Sequence, residues 1–546
     1  MRLRTILLGT LLAEGALAQV TSFPRPAYFR EAFARAQTHV ELKDPVKLKD
    51  FVVGGKLELS LKHFLELVMA NNTDIQLQFL TLEIPRYNIL NAFGPFDPQA
   101  RASFNTTRTT SLVTNQSAAI DSAPVGSSTK SLSQPYSLGW SQTLETGTQY
   151  SVNFNGTKTS SSSLTPNSYN MLLQTDVLQF SVTQPLLRNR GTYVNRLPIM
   201  QARSNLRVSE YNLRGQLLGL VNTAETAYWN VISAREMLHV QEQNRDTSKA
   251  YLDFMQQQLD LGALSPLDIY NPKANLAAAE VSVSQAKFAL AQAEDAVRHQ
   301  IGADLDPEAR KLPIVLTEVA DPGPTDSLLI DKEQEVEKAL SLNPALKAAV
   351  QKLDVDDLGI QSAQNGLLPN LSFTAAYTTT GHGGSYLSGF GTVYPGGLSD
   401  SLDQMFNFGY PTYQAGLTLT LPIRSRSASA TMGIAVAQKK TDALTVRNTQ
   451  QNIRLQILNA VTNLEGAKEQ LKLAIVERDF AKLNLDAENQ KYQLGTETNQ
   501  NVINAQQQLA NAELTVVNAQ ISVRKGVLNL LTQTGELLDE RGIVVQ

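Results

Sequence analysis

Residues 258–287 read QLDLGALSPLDIYNPKANLAAAEVSVSQAK, and residues 491–520 read KYQLGTETNQNVINAQQQLANAELTVVNAQ. The two stretches superpose at a constant offset of 233: Leu261-Gly262 meets Leu494-Gly495, Asp268 meets Asn501, and Ala279-Glu280 meets Ala512-Glu513. Ala234-Arg235-Glu236 pairs with Ala467-Lys468-Glu469 at the same offset. Upstream, FSVTQPLLRNR from Phe180 echoes LTLTLPIRSR from Leu417, and Asn72-Thr73-Asp74-Ile75 echoes Asn343-Pro344-Ala345-Leu346. The chain is therefore a tandem repeat. Each half runs short helix, strands, long helix, glycine-containing turn, return helix. The expected organisation is a first repeat over 57–303, a Pro-rich linker over 304–327, a second repeat over 328–534 and a tail over 535–546.

The helical parts carry coiled-coil patterning. Leu276, Val283, Leu290 and Val297 recur every seven residues with Ala279, Ala286 and Ala293 between them, and Leu509, Val516, Val523 and Leu530 do so with Ala512, Ala519 and Gly526. The helices before the turns show seams running from Leu213 to Leu238 and from Ile453 to Ala474. A seven-residue repeat winds helices into left-handed supercoils, and alanine in the seam lets backbones approach. Helices over 204–261 and 431–494 would each be roughly 90 Å long at 1.5 Å per residue, longer than a globular core requires.

The strand parts are almost uncharged. Residues 102–187 hold six charged side chains, against thirteen in 441–490. Apolar residues alternate with small polar ones at Tyr136, Leu138 and Trp140, at Tyr150, Val152 and Phe154, and at Leu178, Phe180 and Val182. Leu371 to Tyr377 and Tyr413 to Leu421 do the same in the second half. Period two with an uncharged polar face suits strands with one face to lipid and the other to a lumen, and it equally suits a soluble β-sandwich. Four strands are expected in the first half (100–108, 136–144, 148–156, 174–184) and two in the second (371–379, 412–421). Loops are expected over 111–133, 157–170 and 381–403. So few strands cannot close a barrel alone, so a barrel requires several copies.

Residues 1–18 read as a secretory signal, with Arg2 and Arg4, an apolar run from Ile6 to Ala13, and Ala16-Leu17-Ala18. No later run is long and apolar enough for a transmembrane helix. Export combined with long helices that lack spans favours the barrel over the sandwich. Lys and Arg number 47 against 51 Asp and Glu, which argues against a nucleic-acid partner. Cysteine is absent and the five histidines are scattered, so no metal, cofactor or catalytic site is expected. Gly381-His382-Gly383-Gly384 opens no helix and is expected to be a loop.

Signal, duplication, strand hairpins and glycine-turned coiled-coil hairpins together resemble the TolC-like outer-membrane efflux and secretion channels. The segment Ala339-Leu340-Ser341-Leu342-Asn343-Pro344-Ala345-Leu346 is typical of that family, as is Tyr492-Gln493-Leu494-Gly495 followed by VINAQ. The resemblance covers nearly the whole chain after about Leu57. It implies an α+β fold: a homotrimer whose strands share one transmembrane β-barrel, continued by an α-barrel of helical hairpins across the periplasm. It also implies a periplasmic adaptor and an inner-membrane transporter as partners, outer-membrane lipid around the barrel, and no enzyme activity. The family usually has two strands per half, so the hairpin turning at Glu145-Thr146-Gly147 is extra. It either widens the barrel or stands outside it.

The resemblance places a gate at the periplasmic tip, at the turns of Gly262 and Gly495. An Asp and a Tyr of the family's lock fall on Asp268 and Tyr492. Two acids of the family's cation-attracting ring fall on Asn501 and Asn504, so that ring is neutral here. A basic lock residue falls on Glu497, which would repel Asp268. Asp268 also has a purely structural reading, since Ser265, Pro266 and Asp268 can form the capping box of a helix start. The expected function is a passive conduit in the outer membrane of a Gram-negative cell. The alternative is a pore-less coiled-coil adaptor or trimeric adhesin.

Overall fold

A computed structural model describes residues 46, 48–112, 126, 128–161, 168–262, 265–323, 330–387, 393–494 and 496–544. The signal segment 1–18 and Gly495 lie outside the described residues. In chain order the helices longer than one turn are α1 (Leu61–Asn71), α2 (Thr73–Thr81), α3 (Glu83–Phe93), α4 (Leu197–Asp260), α5 (Tyr270–Gln300), α6 (Lys332–Leu342), α7 (Pro344–Leu367), α8 (Leu398–Phe406), α9 (Arg426–Gln493) and α10 (Asn499–Thr534). The larger sheet holds β1 (Gln99–Phe104), β2 (Thr107–Leu112), β3 (Ser128–Thr143), β4 (Gln149–Ser161), β5 (Ser168–Pro185), β6 (Asn370–Leu387) and β7 (Pro411–Thr420), with the two-residue strand Val393–Tyr394 paired to the end of β6. Among the described residues no helix is long and apolar enough to cross a membrane. The chain divides into two compact units, and each takes segments from both repeats.

The first unit is built on the heptad seams. Ile453, Ile457, Ala460, Leu464, Ala467, Leu471 and Ala474 of α9 are all buried, as are Leu213, Leu217, Ala224, Ala227 and Val231 of α4. Full burial of one Leu or Ile side chain contributes about 1.5–3 kcal/mol. Small residues let the backbones close in: a Cβ on Gly526 of α10 would lie 3.0 Å from Leu464 Cδ1. The echo of Asn72 in Asn343 has a structural cause. Asn72 accepts from the backbone of Asp74 (2.9 Å) and donates Nδ2 to the Gln300 carbonyl (3.2 Å). Asn343 accepts from Ala345 (2.9 Å) and donates to the Gln533 carbonyl (3.1 Å). Gln300 and Gln533 are themselves related by the 233-residue offset. In each repeat, then, an asparagine at a helix break ties the short helices to the end of the return helix. The stretch expected as a linker contributes a strand at Ile314–Leu316, which pairs in parallel with Leu57 to Leu59.

The second unit holds one continuous antiparallel sheet in the order β7-β6-β5-β4-β3, with β1 and β2 both on β3. Its rows keep the expected alternation. Tyr413, Tyr377, Phe180, Val152, Trp140 and Ala100 are successive partners across all six positions. One residue along, the row is Gln414, Ala376, Ser181, Ser151, Ser141 and Gln99. Directly paired residues project from the same face, so one face is apolar and the other small and polar. Aromatic contacts run along the apolar face: Tyr413 with Tyr377 at 5.2 Å, Tyr377 with Phe180 at 6.4 Å, and Trp140 with Tyr150 at 4.9 Å. Hydroxyls pair on the other, Ser151 with Ser181 (2.7 Å) and Ser103 with Ser137 (2.6 Å).

Three local expectations change. The first strand is broken after Phe104, because Pro135 on β3 has no N–H to offer the ladder and its carbonyl instead accepts from Asn105 at 2.9 Å. The strands also run further than expected, β4 to Ser161 and β6 to Leu387. Gly381 to Gly384 is consequently not a loop: these residues extend β6 and pair with β5. Their glycines seat α8, a helix that begins within the expected loop 381–403 and runs past it to Phe406. A Cβ on Gly381 would fall 1.8 Å from the Ser401 carbonyl, and one on Gly383 2.0 Å from that of Gly397. Thr379 completes the seat by donating Oγ1 to the Met405 carbonyl (3.1 Å).

Within the second unit, α7 and α9 share a carboxyl pair. Burial, reinforced by Asp442, pushes Asp356 up to about 6. Burial also disfavours the Asp442 carboxylate, but bonds from Gln438, Lys352 and Asp356 more than offset this and hold it below its usual range. Lys352 reaches Asp442 at 3.2 Å, and Lys439 pairs with Asp357. Because the folded-state pKa of Asp356 is raised, its stabilising contribution is complete below about pH 4 and is lost as pH rises through about 6. Asp442 contributes oppositely, losing stability only as pH falls below the normal carboxylate range. The melting temperature of the wild type is therefore expected to fall between pH 4 and 7. Asp356→Asn should flatten that slope, and an unchanged slope would remove Asp356 as its source.

Candidate functional site

The positions assigned to the tip lie in the first unit, at the turns of its two long hairpins. At the first, α4 ends at Asp260 and Gly262 takes φ +73°. No atom approaches within 4 Å of where a Cβ would be, so the backbone angle alone calls for glycine. The expected helix start at Ser265 does not occur. Residues 266–269 form turns, with Ser265 Oγ accepting from Leu267 (3.4 Å) and its carbonyl from Asp268 (3.0 Å), and α5 begins at Tyr270. Pro272 is the physical reason. A helix starting at 266 would place it where an internal hydrogen bond is lost, whereas a start at Tyr270 puts it in the first turn, where that N–H is unpaired anyway. At the second turn Thr498 is the N-cap of α10 without a side-chain capping bond. Thr496 closes the turn instead, donating both its backbone N–H and Oγ1 to the Lys491 carbonyl at 3.0 Å.

The two turns meet in one apolar cluster of Tyr251, Met255, Ile269, Leu485, Val502, Ile503 and Ala505, with Tyr492 packed against it. Tyr492 donates to Met255 Sδ (3.1 Å), and its ring meets Tyr251 edge-on at 6.3 Å and Phe254 at 6.5 Å. Burial, and then the charge of Asp268, push the Tyr492 hydroxyl up. Burial and Tyr492 do the same to Tyr251. A polar strap crosses the cluster: Tyr251 donates to Asn499 Oδ1 (2.7 Å), and Asn499 Nδ2 donates to the Asp268 carbonyl (3.3 Å). The turn of Asp268 is thus tied to the cluster that holds Tyr492, through a part-exposed link not evident in the sequence. Tyr251, Met255 and Asn499 belong to no motif; the one signal available for the first two is the cluster of large side chains in Tyr251-Leu252-Asp253-Phe254-Met255 near the helix end, and Asn499 has none.

Of the remaining tip residues, Glu497 and Asn501 are half-buried and Asn504 is exposed. Glu497 lies near Lys491, whose ammonium is held above its usual range by a 2.6 Å bond to Glu488 and, less strongly, by Glu497. Asn501 is half-buried in the first turn of α10, and Asn504 is exposed and accepts from Gln500 at 3.0 Å. The tip therefore offers neutral amides and the carboxylates of Asp268 and Glu497. Among the described residues no group of acidic or histidine side chains could hold a metal.

Comparisons with known proteins agree with this architecture. TolC of Escherichia coli K12, an outer membrane protein, is 26% identical over 289 residues, covering 52% of this chain and 55% of that protein, so the match spans about half of it. Among solved structures, the Campylobacter jejuni CmeC outer membrane channel superposes with a TM-score of 0.60 at 17% identity, covering 92% of this chain and 91% of that one. The open state of the Neisseria gonorrhoeae MtrE outer membrane channel gives 0.58 at 15% identity, covering 91% and 98%. At such identities these likenesses bear on the fold alone. Sequence carries the family: the outer membrane efflux protein model matches residues 147–303 and again 336–536, about two thirds of the chain. That twofold match follows the internal repeat, each block ending with a return helix, and the chain belongs to the outer membrane efflux protein family.

Proposed function

We propose that three copies of this chain form an outer-membrane channel-tunnel, a passive conduit for efflux or secretion. The observation that carries this reading is the sheet, whose adjacent rows through Phe180 and Ser181 are apolar on one face and small and polar on the other across all six strand positions. The ten residues of β7, at about 3.4 Å each and tilted by about 40°, rise about 26 Å, which suits the apolar band of an outer-membrane barrel. Above that band the apolar face turns polar. Asp176 is fully buried there against Tyr136, with Gln174 Nε2 at 3.0 Å, and a Cβ on Gly156 would strike both Tyr136 and Asp176.

The helical hairpins continue the conduit and dock on a periplasmic adaptor, which couples it to an inner-membrane pump. The pump supplies the energy, and the conduit's contribution is geometric and electrostatic. Solute enters between the two turns, where Asp268 supplies one carboxylate per copy and Asn501 and Asn504 supply none. Purified protein in a planar bilayer is expected to give discrete conductance steps, and folded protein without any would favour the pore-less adaptor or adhesin. In the same assay Asn501→Asp with Asn504→Asp is expected to move the reversal potential toward cations in a salt gradient. An unchanged potential would remove both residues from the constriction.

A further inference from the structure

We propose that the extra hairpin β3–β4 is part of the barrel wall, so that each copy contributes six strands and the trimer closes an eighteen-stranded barrel. In it, the β1/β2 edge of one copy pairs with β7 of the next. This rests on the conduit reading and goes beyond the four strands per copy that the family resemblance implies.

The hairpin is woven into the sheet. β3 and β4 share thirteen consecutive paired positions and β4 and β5 eleven, more than the ten that join β7 to β6. Its turn is pinned as well. Gly147 takes φ +85°, with its Cβ position 2.5 Å from the Asn189 carbonyl. Gly191 donates to the Thr146 carbonyl (3.2 Å), and Arg196 reaches Glu145 at 3.5 Å. A hairpin standing outside the wall needs neither an unbroken register nor a common face. Here Trp140 and Val152 of the hairpin continue the row of Tyr413, Tyr377 and Phe180 on the apolar face.

The edges specify the occupant. Every neighbouring pair in the sheet is antiparallel, so with six strands the two edges run in opposite directions and fit each other antiparallel. Both edges are exposed along their whole lengths. β7, PTYQAGLTLT, carries no charge, and a long uncharged edge lacks the usual protection against pairing with another chain. A second copy of this chain satisfies both edges at once. Barrel diameter grows roughly linearly with strand number, so eighteen strands give a wall about half again as wide as twelve. Solute size is then limited at the helical tip and not in the membrane.

Tryptophan fluorescence in brominated lipid tests this, since the chain has only Trp140 and Trp229 and Trp229 is buried in the helical unit. Reconstituted wild type is expected to show a quenched fraction that disappears in Trp140→Phe. Leu417→Trp in the Trp140→Phe background is the reference, because β7 faces lipid whether or not the hairpin does. Should that variant fail to assemble, Phe180→Trp replaces it. Quenching of both Trp140 and the reference supports the inference. Quenching of the reference without Trp140 overturns the inference and leaves the conduit reading standing. Quenching of neither overturns both.

Discussion

Phe180→Lys is expected to destabilise the membrane-inserted protein by about 2–4 kcal/mol, because it puts a charge on the apolar face in the middle of the band. Phe180 lies between Tyr377 and Val152, with apolar partners on both sides and no carboxylate in its row. Lysine there has no partner and only lipid for solvent. Ser181→Lys, one residue along, points the same charge to the polar face and is expected to cost far less. Folded, heat-modifiable protein in outer membranes should fall sharply for the first and stay near wild type for the second. Equal loss from both would mean that the two faces are not lipid and lumen.

Arg541→Ala carries the other large effect, in the helical unit. Arg541 holds Glu225 through two bonds, Nη2 to Oε1 at 2.6 Å and Nε to Oε2 at 3.0 Å, and Glu225 is 1% exposed. Removing the guanidinium leaves a buried carboxylate with only Trp229 Nε1 at 3.3 Å. Breaking such a pair from one side typically costs about 3–5 kcal/mol, whereas replacing both charges together costs much less. Chemical denaturation of Arg541→Ala and of Glu225→Gln with Arg541→Met should show that order. A single mutant no less stable than the double would remove the pair as a structural element.

The parts of the fold that were legible in the sequence are those set by periodicity. The seam from Ile453 to Ala474 gave away its burial because coiled-coil packing forces one face inward every seven residues, and the row through Phe180 gave away its common face because strands alternate. The asparagine echo was visible as well, although its bonds to Gln300 and Gln533 were not. What escaped depends on contacts between distant residues. The glycines at 381 and 383 look like loop residues until α8 is seated on them. The start of α5 depends on Pro272 and not on the apparent capping box at Ser265. Similarly, the strap from Tyr251 through Asn499 to Asp268 joins residues more than 200 positions apart, each unremarkable in its own segment.

The most direct test of the outer-membrane conduit is the fate of the alternating strands in a cell. The full chain would be expressed in a Gram-negative host, its membranes separated by density, and the outer membrane washed with urea. Retention in the washed outer membrane is the predicted result, because an apolar face spanning all six strand positions leaves that membrane only by unfolding. Release into the soluble periplasm would contradict it, making the sheet a water-soluble one and the protein an adaptor or adhesin.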